Sequence, residues 1–102
     1  MTNNETAWPS EIFDVLRRQE IDLVCHVPDA GHAPLIEMCE TDNKTDAITC
    51  TSEEEGIHML SGAWLGGRKG AMLLQSSGVG NIINALAMPN TCRIPILVIV
   101  TM

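Results

Sequence analysis

The chain has 102 residues, 45% of them hydrophobic, with thirteen acidic side chains against six basic ones and a net charge of −7. That length supports one core and not two, and that hydrophobic share excludes a disordered chain. The scattered lysines and arginines exclude an electrostatic footprint for nucleic acid, and the longest apolar run, Ile94 to Val100, is too short to cross a membrane.

Residues 1–8 read as a polar tail without the basic and apolar regions of a signal peptide, and residues 9–102 as one domain. Trp8-Pro9-Ser10-Glu11 opens a helix that carries Ile12, Phe13, Val15 and Leu16 and fades at Arg17-Arg18-Gln19. Asp22 to Val27 is a short strand ended by Pro28 and the turn-like Asp29-Ala30-Gly31. A helix over Pro34 to Glu40 and a strand over Ala47 to Thr51 follow. The next helix begins among Glu53, Glu54 and Glu55. Gly70 to Gln75 is a strand, Asn81 to Met88 a helix and Ile96 to Thr101 a final strand.

The strands are continuous apolar runs, as expected where both faces lie under helices. Four alternations of strand and helix predict an α/β fold with a parallel sheet and helices on both faces. Ligands in such sheets bind at the carboxyl ends of the strands, which are followed here by the loops Pro28 to His32, Thr51 to Glu55 and Ser76 to Asn81.

Cys25, Cys39, Cys50 and Cys92 have spacings that suit neither a zinc site nor a disulfide framework. Buried, reduced thiols in a cytoplasmic protein are the expectation. His26 reads as a satisfied core residue, and Met59, Met72 and Met88 as core filling.

The three glutamates divide by position. Ser52 and Glu55 have the spacing of a capping box, with each side chain bonding the other's amide. Glu54 falls in line with His58 and Ser61 on a polar row. Glu53 aligns with Ile57, Leu60 and Trp64, the stripe that faces inward. Spacing alone leaves two readings for Glu53: a first-turn acid favoured by the macrodipole, or an inward carboxylate able to lend and take back a proton. Gly66-Gly67 reads as the C-cap of this helix. Gly56 and Gly62 weaken a helix by up to about 1 kcal/mol each, which suggests close approach by another backbone or a flat ligand. Gly56 is expected to meet a partner molecule, and Gly62 to pack on the domain's own sheet.

TSEEEGIHMLSGAW followed by GAMLLQSSGVGNIINALAMPN resembles the pyrimidine-binding domain of thiamine diphosphate-dependent enzymes. Within that group it is similar to the α subunit of sulfopyruvate decarboxylase and to phosphonopyruvate decarboxylase, from Phe13 to Met102. The Gly62-Ala63 step fixes the register, and counting back nine residues places the family glutamate on Glu53. The resemblance implies that Glu53 is catalytic, hydrogen-bonding N1′ of the aminopyrimidine ring and promoting proton removal from the thiazolium C2. It implies that Gln75, Ser76, Ser77, Gly78 and Asn81 bind the cofactor and that Asp29 and His32 face the substrate, a small anionic 2-oxo acid. A phosphate-cradling reading of SSGVGN is weaker, because the Walker lysine and a full G-x-G-x-x-G are missing.

The family's G-D-G…N motif for magnesium and diphosphate has no counterpart here, and the chain stops at Met102 just after a strand. The expectation is therefore an incomplete pyrimidine-binding domain. It would act in a homo- or hetero-oligomer with a diphosphate-binding β subunit, which binds most of the magnesium. The alternative is a non-catalytic assembly or regulatory module of the same fold.

Overall fold

A computed structural model describes residues 4–102, with side chains described from residue 7 onward. α1 (Asn4–Arg18) leads into β1 (Leu23–His26), α2 (Ala33–Thr41), β2 (Asp46–Thr49), α3 (Glu53–Leu65) and β3 (Gly70–Gln75). A 3-10 segment (Ser76–Ile82), α4 (Ala87–Cys92) and β4 (Leu97–Thr101) complete the order. Among the described residues the strands form one sheet in the order β2-β1-β3-β4, and every pairing is parallel. The α/β reading holds.

Burial follows from that order. β1 is buried along its whole length and β3 from Ala71 to Leu74, because each has a strand on either side and helices above and below. The edge strands β2 and β4 are only partly covered. Alternate residues feed two cores. Leu23, Cys25, Met72 and Leu74 pack with Ile57 and Leu60 of α3, while Val24, Ala71 and Leu73 pack with Leu16 of α1 and Leu35, Ile36 and Cys39 of α2.

Most element boundaries fall within two residues of expectation, and two differ by more. α1 starts at Asn4, ahead of Trp8, and runs through Pro9. Proline removes one helical N–H, which makes a sequence reading break there; Ser10 Oγ donates to Ala7 O at 3.0 Å in that turn. Residues 1–3 of the expected tail lie outside the described residues. The helix expected over Asn81 to Met88 is instead the 3-10 segment, whose tight i to i+3 turns fit the small residues Ser76 to Gly80, and then α4. Pro89 falls in the first turn of α4, where its missing N–H has no helical acceptor. α4 ends on Arg93, whose φ of 60° is left-handed.

α3 is the element that carries the glutamates, and both its ends are locally determined. Ser52 Oγ accepts from Glu55 N at 3.3 Å. At the other end Gly67 takes φ +88°, Gly67 N bonds Trp64 O at 2.9 Å, and Arg68 N bonds Ala63 O at 2.8 Å, a Schellman closure on the expected glycine pair.

At the amino ends of the strands a cleft of about 470 Å³ is lined by cations that include Lys44, Arg68 and Lys69. Arg68 bonds Asp22 Oδ1 at 2.9 Å and Asp46 Oδ2 at 2.7 Å, which ties the starts of β1, β2 and β3 together and raises the Arg68 pKa. The helix C-termini meet here, so cations also suit the macrodipoles. No helix among the described residues is long and apolar enough to cross a membrane.

Candidate functional site

The site lies at the opposite end, where β3 gives way to the 3-10 segment and the loop after β2 enters α3. Ser52 caps α3 so that Glu53 is its first residue. The Glu53 side chain is half-buried, and its Oε1 accepts from Asn81 Nδ2 at 3.0 Å. Gly78 passes directly beside it: a Cβ at Gly78 would lie 2.9 Å from Glu53 Oε2 and 3.1 Å from Cδ. A side chain there would push the carboxylate away, so Gly78 is needed for close approach. Among the described residues nothing bonds Oε2. Two segments twenty-eight residues apart therefore hold one carboxylate with one oxygen engaged and the other available.

The remaining expected cofactor residues flank this contact. Gly78 is buried, whereas Gln75, Ser76, Ser77 and Asn81 are exposed around it. Glu54 is exposed, as expected of a solvated position, but Ser61 is buried and donates to Ile57 O at 2.9 Å, so the polar row stops short of it. Glu55 has its structural role with a different partner. Its Oε1 accepts from Thr51 N at 2.7 Å and Thr51 Oγ1 at 3.2 Å, not from the Ser52 amide, because the chain enters α3 with Thr51 closer to the carboxylate.

The two helical glycines are the reverse of the expectation. Gly56 is buried, and a Cβ there would overlap Met72 Sδ and lie 3.5 Å from Cys25 Cβ, so Gly56 is where α3 settles on β1 and β3. Gly62 is exposed, and among the described residues nothing lies within 4 Å of a built Cβ. The inward stripe also ends earlier than expected: Ile57 and Leu60 are buried but Trp64 is 41% exposed. Met72 is core, whereas Met59 and Met88 are exposed.

Asp29 and His32 occupy the turn after β1, but neither faces outward. The His32 ring is fully enclosed, and the Asp29 side chain is only 2% exposed. His32 Nε2 lies 3.2 Å from Leu74 O and 3.1 Å from Ile99 O. Asp29 Oδ1 accepts from Gly31 N at 2.8 Å, and Oδ2 accepts from Thr101 Oγ1 at 3.4 Å. The expected substrate-facing side chains are thus turned inward by hydrogen bonds to the ends of β3 and β4. Thr101 was not legible as part of this cluster, since its only sequence signal is a hydroxyl closing an apolar run. His26 is buried and half satisfied: Nε2 pairs with Thr49 Oγ1 at 3.0 Å, while Nδ1 has no partner among the described residues. Burial lowers its pKa, with Glu40 opposing and His32 adding to the shift.

Three of the four thiols are buried as expected, and Cys92 is exposed on the short α4. Burial pushes the Cys25 thiol up to about 12 and that of Cys39 up to about 11.

Comparison with known proteins bears on the family and the fold. The family model for "Thiamine pyrophosphate enzyme, N-terminal TPP binding domain" matches residues 10–102. The chain is 41% identical over 91 residues to sulfopyruvate decarboxylase subunit alpha of Methanocaldococcus jannaschii, covering 88% of this chain and 54% of that one. It is 38% identical over 91 residues to the same-named subunit of Methanococcus maripaludis, with the same coverage. Against phosphonopyruvate decarboxylase of Streptomyces viridochromogenes it is 39% identical over 82 residues, 79% of this chain and 21% of that protein. The chain spans about half the length of the alpha subunits it matches. With a family match over nearly its whole length and an α/β sheet to carry it, the chain belongs to the N-terminal, cofactor-binding domain family of thiamine pyrophosphate enzymes.

Proposed function

We propose that this chain is the pyrimidine-binding part of a thiamine diphosphate-dependent decarboxylase acting on sulfopyruvate or phosphonopyruvate. In this reading it works only with a diphosphate-binding β subunit, which holds most of the magnesium, and the active assembly is a homo- or hetero-oligomer. The relatives named as alpha subunits support a second subunit. The three buried thiols support a cytoplasmic setting.

The observation that carries the proposal is the Glu53–Gly78–Asn81 contact. Its residues fit an aminopyrimidine: a half-buried carboxylate with one oxygen held by Asn81 and the other without a hydrogen bond among the described residues, beside the backbone of a glycine. Bound thiamine diphosphate supplies the carbanion-stabilising chemistry of 2-oxo acid decarboxylation. Glu53 would hold a proton between Oε2 and a nitrogen of the bound ring. Asn81 fixes the carboxylate through Oε1, which would leave Oε2 preorganised for a bound ring. Gly78 sets the approach distance, and Gln75, Ser76 and Ser77 form the polar rim. Contact with substrate in the turn after β1 falls to the backbone of Pro28 to Gly31, which Asp29 and His32 hold from beneath.

The test uses this chain co-expressed with a diphosphate-binding subunit and follows hydrogen–deuterium exchange at C2 of thiamine diphosphate. Glu53→Gln should slow exchange by at least about a hundredfold, the usual scale for a positioned proton-transfer group. Glu54→Gln should leave it nearly unchanged. Equal effects of the two substitutions would overturn the assignment.

A further inference from the structure

We propose that His32 is a positioning residue for the Glu53 pocket, acting from beneath through the backbone. The inference rests on the pocket assignment above and extends it to a side chain that touches neither cofactor nor substrate.

Carbonyl oxygens only accept, so a nitrogen within 3.2 Å of both Leu74 O and Ile99 O must carry the hydrogen. The ring is therefore the Nε2–H tautomer, shared between two acceptors. Among the described residues the buried Nδ1 has no partner, so it stands as a bare lone pair with no donor to accept from. The ring is locked in place: its relative exposure is 0%, and the Trp8 indole packs edge-on at 6.0 Å. Its backbone is fixed too, since His32 O accepts from Ile36 N at 2.8 Å as α2 begins.

What makes this a matter of the site is the identity of the carbonyls. Leu74 is the penultimate residue of β3, one step before Gln75 and four before Gly78, the residue pressed against Glu53. Ile99 belongs to β4, two residues before Thr101, which donates to Asp29. Gly31 allows this approach, because a Cβ there would meet Thr101 Oγ1 at 2.7 Å. One imidazole thus joins the turn after β1 to the ends of β3 and β4. It sets where the Gln75–Asn81 segment leaves the sheet, and hence how closely Gly78 and Asn81 approach the carboxylate.

The experiment uses the full chain without cofactor, so that it tests this linkage separately from the proposed chemistry. Long-range nitrogen–proton NMR should show His32 as the Nε2–H tautomer. In His32→Ala, amide exchange at Gln75 to Gly78 should rise about tenfold over any change in α1, the scale of one or two lost buried hydrogen bonds. His32→Gln, whose amide nitrogen has about the reach of Nε2, should restore protection there. An Nδ1–H tautomer, a uniform rise across the chain, or a folded His32→Gln as labile at these amides as His32→Ala would overturn the proposal. If His32→Ala does not fold, the tautomer and the protection of Gln75 to Gly78 in His32→Gln decide. Failure of the Glu53→Gln test with this linkage intact would instead refute the pocket assignment.

Discussion

One methyl group added at Gly56 and, separately, at Gly62 should move the stability of this domain in opposite directions. Both glycines lie inside α3 with ordinary negative φ, so alanine at either lowers the entropy of the unfolded chain and gains about 0.5–1 kcal/mol of helix stability. At Gly62 nothing opposes that gain, because a Cβ meets open space. At Gly56 the methyl would run into the end of the Met72 side chain, which is fully buried between α3 and the sheet. Overpacking of that kind costs about 1–3 kcal/mol, and because Met72 is enclosed the cost outweighs the helix gain. Since the backbone term is common to both variants, the gap between them isolates packing at about 1–3 kcal/mol. In a domain of this size each 1 kcal/mol is worth about 4–8 °C in Tm. Urea titration of the isolated chain should show the two midpoints displaced to either side of the parent, with unchanged slope. Adding Met72→Ala to Gly56→Ala should be less harmful than the sum of the single changes, because the new methyl occupies part of the space vacated. If Gly56→Ala is stabilising, or the double variant is strictly additive, α3 does not rest on Met72 as described.

Further outcomes follow from the site and the buried groups. Gly78→Ala should slow C2 exchange of thiamine diphosphate at least about tenfold while moving the urea midpoint little, because the displaced Glu53 carboxylate is only half-buried; full exchange in that variant would show that the carboxylate tolerates the methyl. Iodoacetamide should modify Cys92 in the native chain and spare Cys25 and Cys39, whose thiols are held at about 12 and about 11, and mass spectrometry of the labelled peptides reads the result. Because burial lowers the His26 pKa, the unfolded chain takes up its proton first as pH falls below the ordinary value of 6.5. Stability should therefore fall from that point toward the lower folded value, and His26→Gln should flatten this part of the urea-midpoint profile; a parent profile already flat there would contradict it.

The fold was largely legible because its signals are local and redundant. The run Gly70 to Gln75 is flanked by a glycine turn and a small-residue loop, and it forms β3 with the expected limits. Ser52 and Gly66-Gly67 mark the ends of α3 by chemistry that neighbours cannot easily override. Legibility fails where two local rules conflict. Pro9 argues for a helix start, yet the preceding residues continue the helix, and Pro89 sits harmlessly in a first turn that periodicity places elsewhere. The sequence has no marker for the 3-10 geometry of Ser76 to Ile82 beyond its small residues.

The site was legible on one axis and opaque on the other. Helical spacing places Glu53 on the inward stripe, and its meeting with Asn81 needs only that the loop after β3 lie beside the start of α3, which a parallel sheet supplies. Depth is a different quantity. Gly56 and Gly62 are both glycines in one helix, and which of them touches the sheet depends on an azimuth that a drift of one residue changes by about 100°. His32 is hidden for the same reason: the resemblance implies a substrate-facing side chain, and nothing in the sequence shows that the carbonyls of Leu74 and Ile99, forty-two and sixty-seven residues away, converge on it. Acceptors of that kind belong to the backbone and carry no residue signature. A side chain whose partners are main-chain atoms is thus the kind of residue that sequence hides best, and in this domain one of those partners, Leu74, lies one residue before the Gln75–Asn81 segment that meets Glu53.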